Sequence, residues 1–162
     1  MKRLSILLLS FAIACSGTGE VSTTGAAQPL PGEDPDRLVA ELNEAGVSTE
    51  QVDTFATDPV GGSGTLLCAG GEEVRVYLFN DEEAATEVAI RIDPADPSNL
   101  DNAIIEWVGR PQFWQRGPML VLYLGEDVAT EDLLTEKLGP SFAQGAGPGR
   151  GVPLMPSACD GS

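Results

Sequence analysis

Three cysteines and one missing residue type bound the chemistry open to this chain. The sulfurs are Cys15, Cys68 and Cys159, and there is no histidine. Without imidazole, the Ser-His-Asp arrangement, histidine acid–base work and histidine metal ligation all fall away together. Thiol catalysis survives only where a cysteine stays reduced. Past residue 14 a single lysine remains, Lys137, placed at an expected helix end. Carboxylates are abundant, at 25 Asp and Glu. Two of them make a glycosidase only where they meet across a cleft, and spacing along the chain singles out no such pair. A carboxylate-based hydrolase is therefore the least favoured reading. No catalytic residue and no metal or other cofactor is assigned, and the chain is expected not to be an enzyme.

The position of the first sulfur says more. Met1-Lys2-Arg3 leads into an apolar stretch from Leu4 to Ala14, and Cys15 follows directly. A cationic start, a short hydrophobic segment and small residues before a cut describe a secretory signal peptide, residues 1–14. The apolar stretch is too short for a helix that crosses a bilayer. Cys15 behind Ala12-Ile13-Ala14 resembles the lipobox of bacterial lipoproteins, with Ala12 where leucine is usual. The resemblance implies cleavage before Cys15 and a thioether-linked diacylglycerol on its sulfur. Ala12-Ile13-Ala14 also fits the A-x-A site of an ordinary secreted protein. Cysteine parity favours lipidation, which consumes Cys15 and leaves Cys68 and Cys159. An even pair in an exported chain reads as one disulfide. The alternative for Cys68 is a small buried hydrophobe. That alternative is weak for Cys159, whose neighbours Pro156, Ser157, Asp160 and Gly161 are poor core formers. The expected place is the bacterial cell envelope, lipid-anchored to a membrane and facing outside the cytoplasm.

Charge narrows the partners. Loss of residues 1–14 removes Lys2 and Arg3 and no acid, leaving 7 basic and 25 acidic side chains and a formal charge of −18. Affinity for phosphate backbones comes from Lys and Arg, so no nucleic-acid partner is expected. Anionic headgroups repel such a chain as well, and the acyl chains must supply the anchoring. The excess suits a solvated surface, a cationic partner or a divalent ion.

The elements that must position any site follow from pattern. Residues 15–33 are the lipidated cysteine and a Gly/Ser/Thr/Ala/Pro-rich tether. Asp34 caps a helix with Pro35 at its first position; Leu38, Leu42 and Ala45 recur at helical spacing, and Gly46 is its stop. A short extended piece is expected near Gln51–Phe55. Thr65–Ala69 and Glu72–Phe79 flank Gly70-Gly71 as a two-residue hairpin. Its register sets Ala69 opposite Glu72, Leu67 opposite Val74 and Thr65 opposite Val76. Both faces of this hairpin are partly apolar, so both are expected to be covered. Asn80 opens a second helix in a capping box with Glu83, and Ala84, Ala85, Val88, Ala89 and Ile92 form its buried stripe. Asn102–Val108 reads as a strand. Met119–Leu124 is a continuous apolar run, expected as a central strand. Thr130 caps a third helix, with Leu134 and Leu138 inward and Gly139-Pro140 as its stop. Strands beside strands with flanking helices make the class α+β, a mostly antiparallel sheet of four or five strands with helices packed on one face. The domain spans 34–140 around one modest core, and 141–162 is a Gly/Pro-rich tail without regular structure.

Two segments merit testing as sites. The loop from Asp93 to Asn102 is rich in oxygen ligands, which suits calcium, but its third, sixth and twelfth positions are Ala95, Ser98 and Ile104, and an EF-hand loop needs a ligand, Gly and Glu there. Turns use the same residue types. The stretch from Trp107 to Pro118 holds both tryptophans with Phe113, Arg110 and Arg116. Aromatics with arginine on a loop are what binding surfaces use. Trp107 is expected in the core. Phe113, Trp114, Arg110 and Arg116 are the candidate binding surface; the alternative for Phe113 and Trp114 is a lid folded over the sheet edge.

Ile105-Glu106-Trp107-Val108-Gly109-Arg110-Pro111-Gln112-Phe113, with Arg116-Gly117-Pro118-Met119-Leu120-Val121-Leu122-Tyr123-Leu124-Gly125, resembles a pattern in small uncharacterised bacterial envelope lipoproteins. The shared layout is lipobox, tether, helix, hairpin, helix, tryptophan strand, glycine turn into an apolar strand, and a last helix ending near Leu138-Gly139-Pro140. It covers residues 34–143 and carries no activity. The expectation is a non-catalytic envelope lipoprotein whose domain binds a protein or peptide. Cation or cationic-ligand binding is the alternative.

Overall fold

A computed structural model of the chain describes residues 34–101, 103–147 and 158–159. The expected signal peptide, the expected lipidation site at Cys15 and the tether lie outside the described residues.

Helix α1 (Pro35–Glu44) begins where Asp34 accepts a hydrogen bond from the Arg37 amide, with Pro35 in the first turn. Strands β1 (Thr49–Phe55), β2 (Ser63–Ala69) and β3 (Glu72–Leu78) follow. The β2–β3 register is the expected one, Ala69 opposite Glu72, Leu67 opposite Val74 and Thr65 opposite Val76. Gly70 and Gly71 both take positive φ (62° and 90°) at the turn, which favours glycine at each. Helix α2 (Glu82–Ala89) is capped by Asp81 rather than Asn80; its carboxylate accepts from the Ala84 amide at 2.8 Å. Strands β4 (Asn99–Leu100) and β5 (Ala103–Ile104) form a separate two-stranded ladder. Strands β6 (Gln112–Arg116) and β7 (Met119–Tyr123), helix α3 (Val128–Leu138) and strand β8 (Ala143–Gln144) complete the order. Asp127, not Thr130, caps α3. Its carboxylate takes both the Thr130 amide and the Thr130 hydroxyl at 2.8 Å, which holds the acid below its usual pKa.

The main sheet has six antiparallel strands in the order β1-β2-β3-β7-β6-β8. Four or five were expected. The difference comes from three places. Gln112–Arg116, expected as a surface loop, is a strand paired with β7 across a turn at Gly117-Pro118. Ala143–Gln144 pairs with β6 three residues past the expected end of the domain. The expected strand 102–108 supplies only Ala103–Ile104, which pairs locally with β4 and stays out of the sheet. Beyond it the Trp107 indole donates to the Pro97 carbonyl at 3.1 Å instead of facing a neighbouring strand.

The helices are not all on one face. α1 and α3 cover one side, where Leu38, Leu42, Leu134 and Leu138 meet Leu67, Val74, Val76, Trp114, Met119 and Val121. α2 covers the other, where Ala85, Val88 and Ala89 pack with Tyr77, Phe113, Leu120 and Leu122. The cause is the composition of the central strands. All five residues of β7 are buried, and an antiparallel strand buried on both faces needs a layer on each. The single expected core is thus two, divided by the sheet.

The closed side is tied by polar contacts as well. Arg116 donates to Glu41 at 2.5 Å and to the Lys137 carbonyl at 3.2 Å, joining β6 to α1 and α3. Tyr123 donates to Glu72 at 2.8 Å and accepts from the Asp127 amide at 3.1 Å, fixing the start of α3 to β3. Burial and these carboxylates push the phenol's pKa well up. The sheet's edges are modest. β1 is largely exposed, carries Glu50 and Asp53, and is bulged between Gln51 and Asp53; β8 is two residues long.

Cys68 and Cys159 are disulfide-bonded, as parity predicts, across 91 residues of sequence. Cys68 lies on the α2 side of β2, so residue 159 is stapled to that face.

Candidate functional site

α2 packs over β6 and β7. Over most of the part of that face built by β1, β2 and β3 no helix packs among the described residues. Loops cover it instead, and they leave a cleft of about 190 Å³. Its floor is Arg75 and Tyr77 of β3. One wall is Phe55 and the Asp58-Pro59-Val60 segment; the other is Ile105–Val108 with Leu124.

The floor is built by register. Phe55 of β1 and Tyr77 of β3 both pair with Gly64 of β2. A side chain at Gly64 would stand 2.7 Å from the Phe55 carbonyl and 3.0 Å from its ring. With no side chain between them, the two rings meet edge to face at 5.1 Å across the intervening strand. Trp107 is held from two directions, by its hydrogen bond to Pro97 and by edge packing on Phe113 at 5.8 Å. The aromatic surfaces are therefore fixed before anything binds.

The cleft's charges fall into two sets. Arg75 gives two hydrogen bonds to Glu73, at 2.9 and 2.7 Å, and lies 5.6 Å over the Phe55 ring. Asp58 and Glu106 are exposed at the mouth and have no cationic partner among the described residues. Tyr77 is 3% exposed, and its hydroxyl finds no hydrogen-bond partner among the described residues. Burial pushes its pKa up to about 12, slightly opposed by the Arg75 charge. It is thus a neutral hydroxyl at physiological pH, able to give or accept one bond.

The expected binding surface is not formed. Phe113 and Trp114 are both fully buried. They alternate on β6, so Phe113 enters the α2-side core and Trp114 the α1/α3 core, where its indole donates to Thr135 at 3.3 Å. Arg110 pairs with Glu131 of α3, and Arg116 with Glu41 of α1. A strand's two-residue period divides this cluster between opposite faces. Trp107, expected in the core, packs half-buried against the α2-side core and also lines the cleft. The other cleft residues, Phe55, Asp58, Tyr77 and Glu106, carry little sequence signal. Tyr77 shares a face with Arg75 by hairpin register, but Phe55 joins them only through the β1–β2 pairing and its bulge.

The Asp93–Asn102 loop uses its acids on itself. Asp93 accepts from the Ala95 amide at 2.9 Å, Asp96 from the Ser98 amide at 3.3 Å, and Asp101 pairs with Arg91. Among the described residues there is no cluster of three or more His, Cys, Asp or Glu placed to hold a metal. No helix among them is long and apolar enough to cross a membrane. Comparison with protein-family models, with curated proteins and with solved structures finds no match for this chain.

Proposed function

We propose that this chain is a non-catalytic bacterial envelope lipoprotein, exported and held to a membrane by lipid on Cys15, whose α+β domain binds another protein or a peptide in the cleft between β3 and the Ile105–Val108 segment. The observation that carries the binding reading is the preformed aromatic cleft, which places Phe55, Tyr77 and Trp107 around one opening. Aromatic anchors in a pocket are the usual centre of a protein-recognition site. Its size favours the same reading. At about 190 Å³ it falls below the range of roughly 300–1,000 Å³ usual for small-molecule and cofactor sites, and suits one inserted side chain. Binding is also favoured over hydrolysis, because Asp58 and Glu106 are both solvated, and apolar burial is what makes a carboxyl an acid catalyst.

Anchoring rests on the Lys2-Arg3 start, the apolar stretch and Cys15, and on the bonded state of the other two sulfurs. An oxidised structural pair belongs to an oxidising compartment. Intact mass of membrane-extracted protein tests this half, with cleavage before Cys15 and a diacylglycerol adduct as the expected result. Cross-linking in cells tests the other half. The wild-type chain should capture an envelope protein that the Trp107→Ala variant, equally abundant and folded, does not. Equal capture by both would remove the cleft from the function.

A further inference from the structure

The cleft carries enough chemistry to say what enters it. Asp58 and Glu106 stand at its mouth without a basic partner among the described residues. The positive group already present, Arg75, is matched by two hydrogen bonds to Glu73, so the opening keeps a surplus of negative charge. Tyr77, 3% exposed at the floor, has a hydroxyl with no partner among the described residues. Trp107 offers aromatic surface, Tyr77 brings its hydroxyl, and Phe55 is occupied by Arg75 at 5.6 Å. A cation on an apolar stem satisfies each of these groups. Its stem lies along Trp107, its charge is drawn to the indole and the two carboxylates, and one N–H is donated to the Tyr77 oxygen. A carboxylate or phosphate would meet Asp58 and Glu106 as like charges. A purely aliphatic group would leave the Tyr77 hydroxyl unanswered in a closed site.

We propose that the cleft is the seat of a single cationic side chain, lysine or arginine, presented by a polypeptide partner. This rests on the binding function proposed above and specifies the chemistry of that partner. The chain's formal charge of −18 after loss of residues 1–14 extends the same preference over the whole surface and speeds encounter with a basic partner.

The full-length chain in detergent, labelled with nitrogen-15, is titrated with acetylated and amidated pentapeptides Gly-Gly-Xaa-Gly-Gly in which Xaa is lysine, arginine, norleucine or glutamate. The Trp107 indole resonance reports on the cleft, and the buried Trp114 indole is the internal control. The lysine and arginine peptides should shift Trp107 saturably and leave Trp114 in place. Joint substitution Asp58→Asn with Glu106→Gln, both at exposed positions, should weaken binding about five- to tenfold. Tyr77→Phe, which keeps the ring, should weaken it about two- to fivefold. Norleucine binding as tightly as lysine overturns the proposal in favour of an apolar pocket, and preference for glutamate reverses its sign. Silence with every peptide overturns it too. In each of those cases the cross-linking experiment decides the broader reading separately: a partner captured by wild type and lost in Trp107→Ala keeps the binding function while the cationic seat falls.

Discussion

The two faces of the sheet are built from the same strands and finished differently. The α1/α3 side is closed by regular helices whose leucines sit directly on β2, β3 and β7, and Trp114 fills the space between them. On the other side α2 packs chiefly on β6 and β7 and reaches the rest of that face no further than Tyr77 of β3. The remaining area is covered by irregular segments, a two-stranded ladder and the stapled residue 159. Helices present a continuous apolar stripe and seal what they cover. Loops must satisfy their own backbone and leave gaps. The difference teaches where to look for function in a chain without recognisable chemistry. Both faces bury a core, and the open cleft lies where the covering layer is incomplete.

The sharpest test sets the two tryptophans against each other. Trp114→Ala empties a fully buried site and should cost about 3–5 kcal/mol, enough to unfold much of the protein. Trp107→Ala removes a half-buried wall and should cost only about 1–2 kcal/mol while abolishing binding. Thermal denaturation compares them, and equal losses would erase the distinction between the faces. Next in size is the disulfide. Reduction, or Cys68→Ser with Cys159→Ser, should lower stability by about 2–4 kcal/mol, since it frees a loop of 91 residues; calorimetry with and without reductant reads this. An unchanged melting temperature would mean that the open face does not depend on its staple. Third, Gly64→Ala drives a methyl against the Phe55 carbonyl and ring. About 1–3 kcal/mol should be lost, with Phe55 and Tyr77 forced apart, seen as changed ring resonances. The smallest effect belongs to the closed face. Burial alone would raise the pKa of Glu41, but its hydrogen bonds from Arg116 and Arg37 outweigh burial and hold it below its usual value. A depressed folded-state pKa adds stability above the unfolded-state value and loses it as pH falls through the folded one. Glu41→Gln should therefore lower stability near neutral pH and flatten the acid limb of the stability curve. An unaltered limb would show that the Arg116–Glu41 pair contributes nothing.

Local signals were the legible ones. Gly70-Gly71 fixed the hairpin because both turn positions need positive φ and the flanking strands alternate. Asp34-Pro35 fixed the start of α1 for similarly local reasons. The caps of α2 and α3 were displaced by one and three residues, since Asn80 and Asp81 are both able to cap, and the Thr130 hydroxyl donates to the true cap, Asp127. The β6–β7 hairpin was missed although Gly117-Pro118 separates two runs of strand length. Aromatic and arginine content suggested a recognition loop there, and the strand's alternation then buried both rings. The α+β class followed from the order of elements. Placement of the helices did not, because which face a helix covers depends on crossovers that periodicity does not encode. The cleft was least legible of all. It is assembled from β1, β3 and two loops far apart in sequence, and only their pairing brings the residues together.

The sheet's borders bear on the anchoring proposed above, which would crowd copies in two dimensions. Chains confined to one plane meet at high local concentration, and an open ladder edge would invite strand-by-strand growth into fibrils. One border here is acidic and kinked by its bulge, and the other is stepped, with two-residue β8 covering only Gln112 and Phe113 of β6. Both borders disfavour extension by a neighbouring strand, so copies held at high density by the proposed anchor would be expected to stay separate.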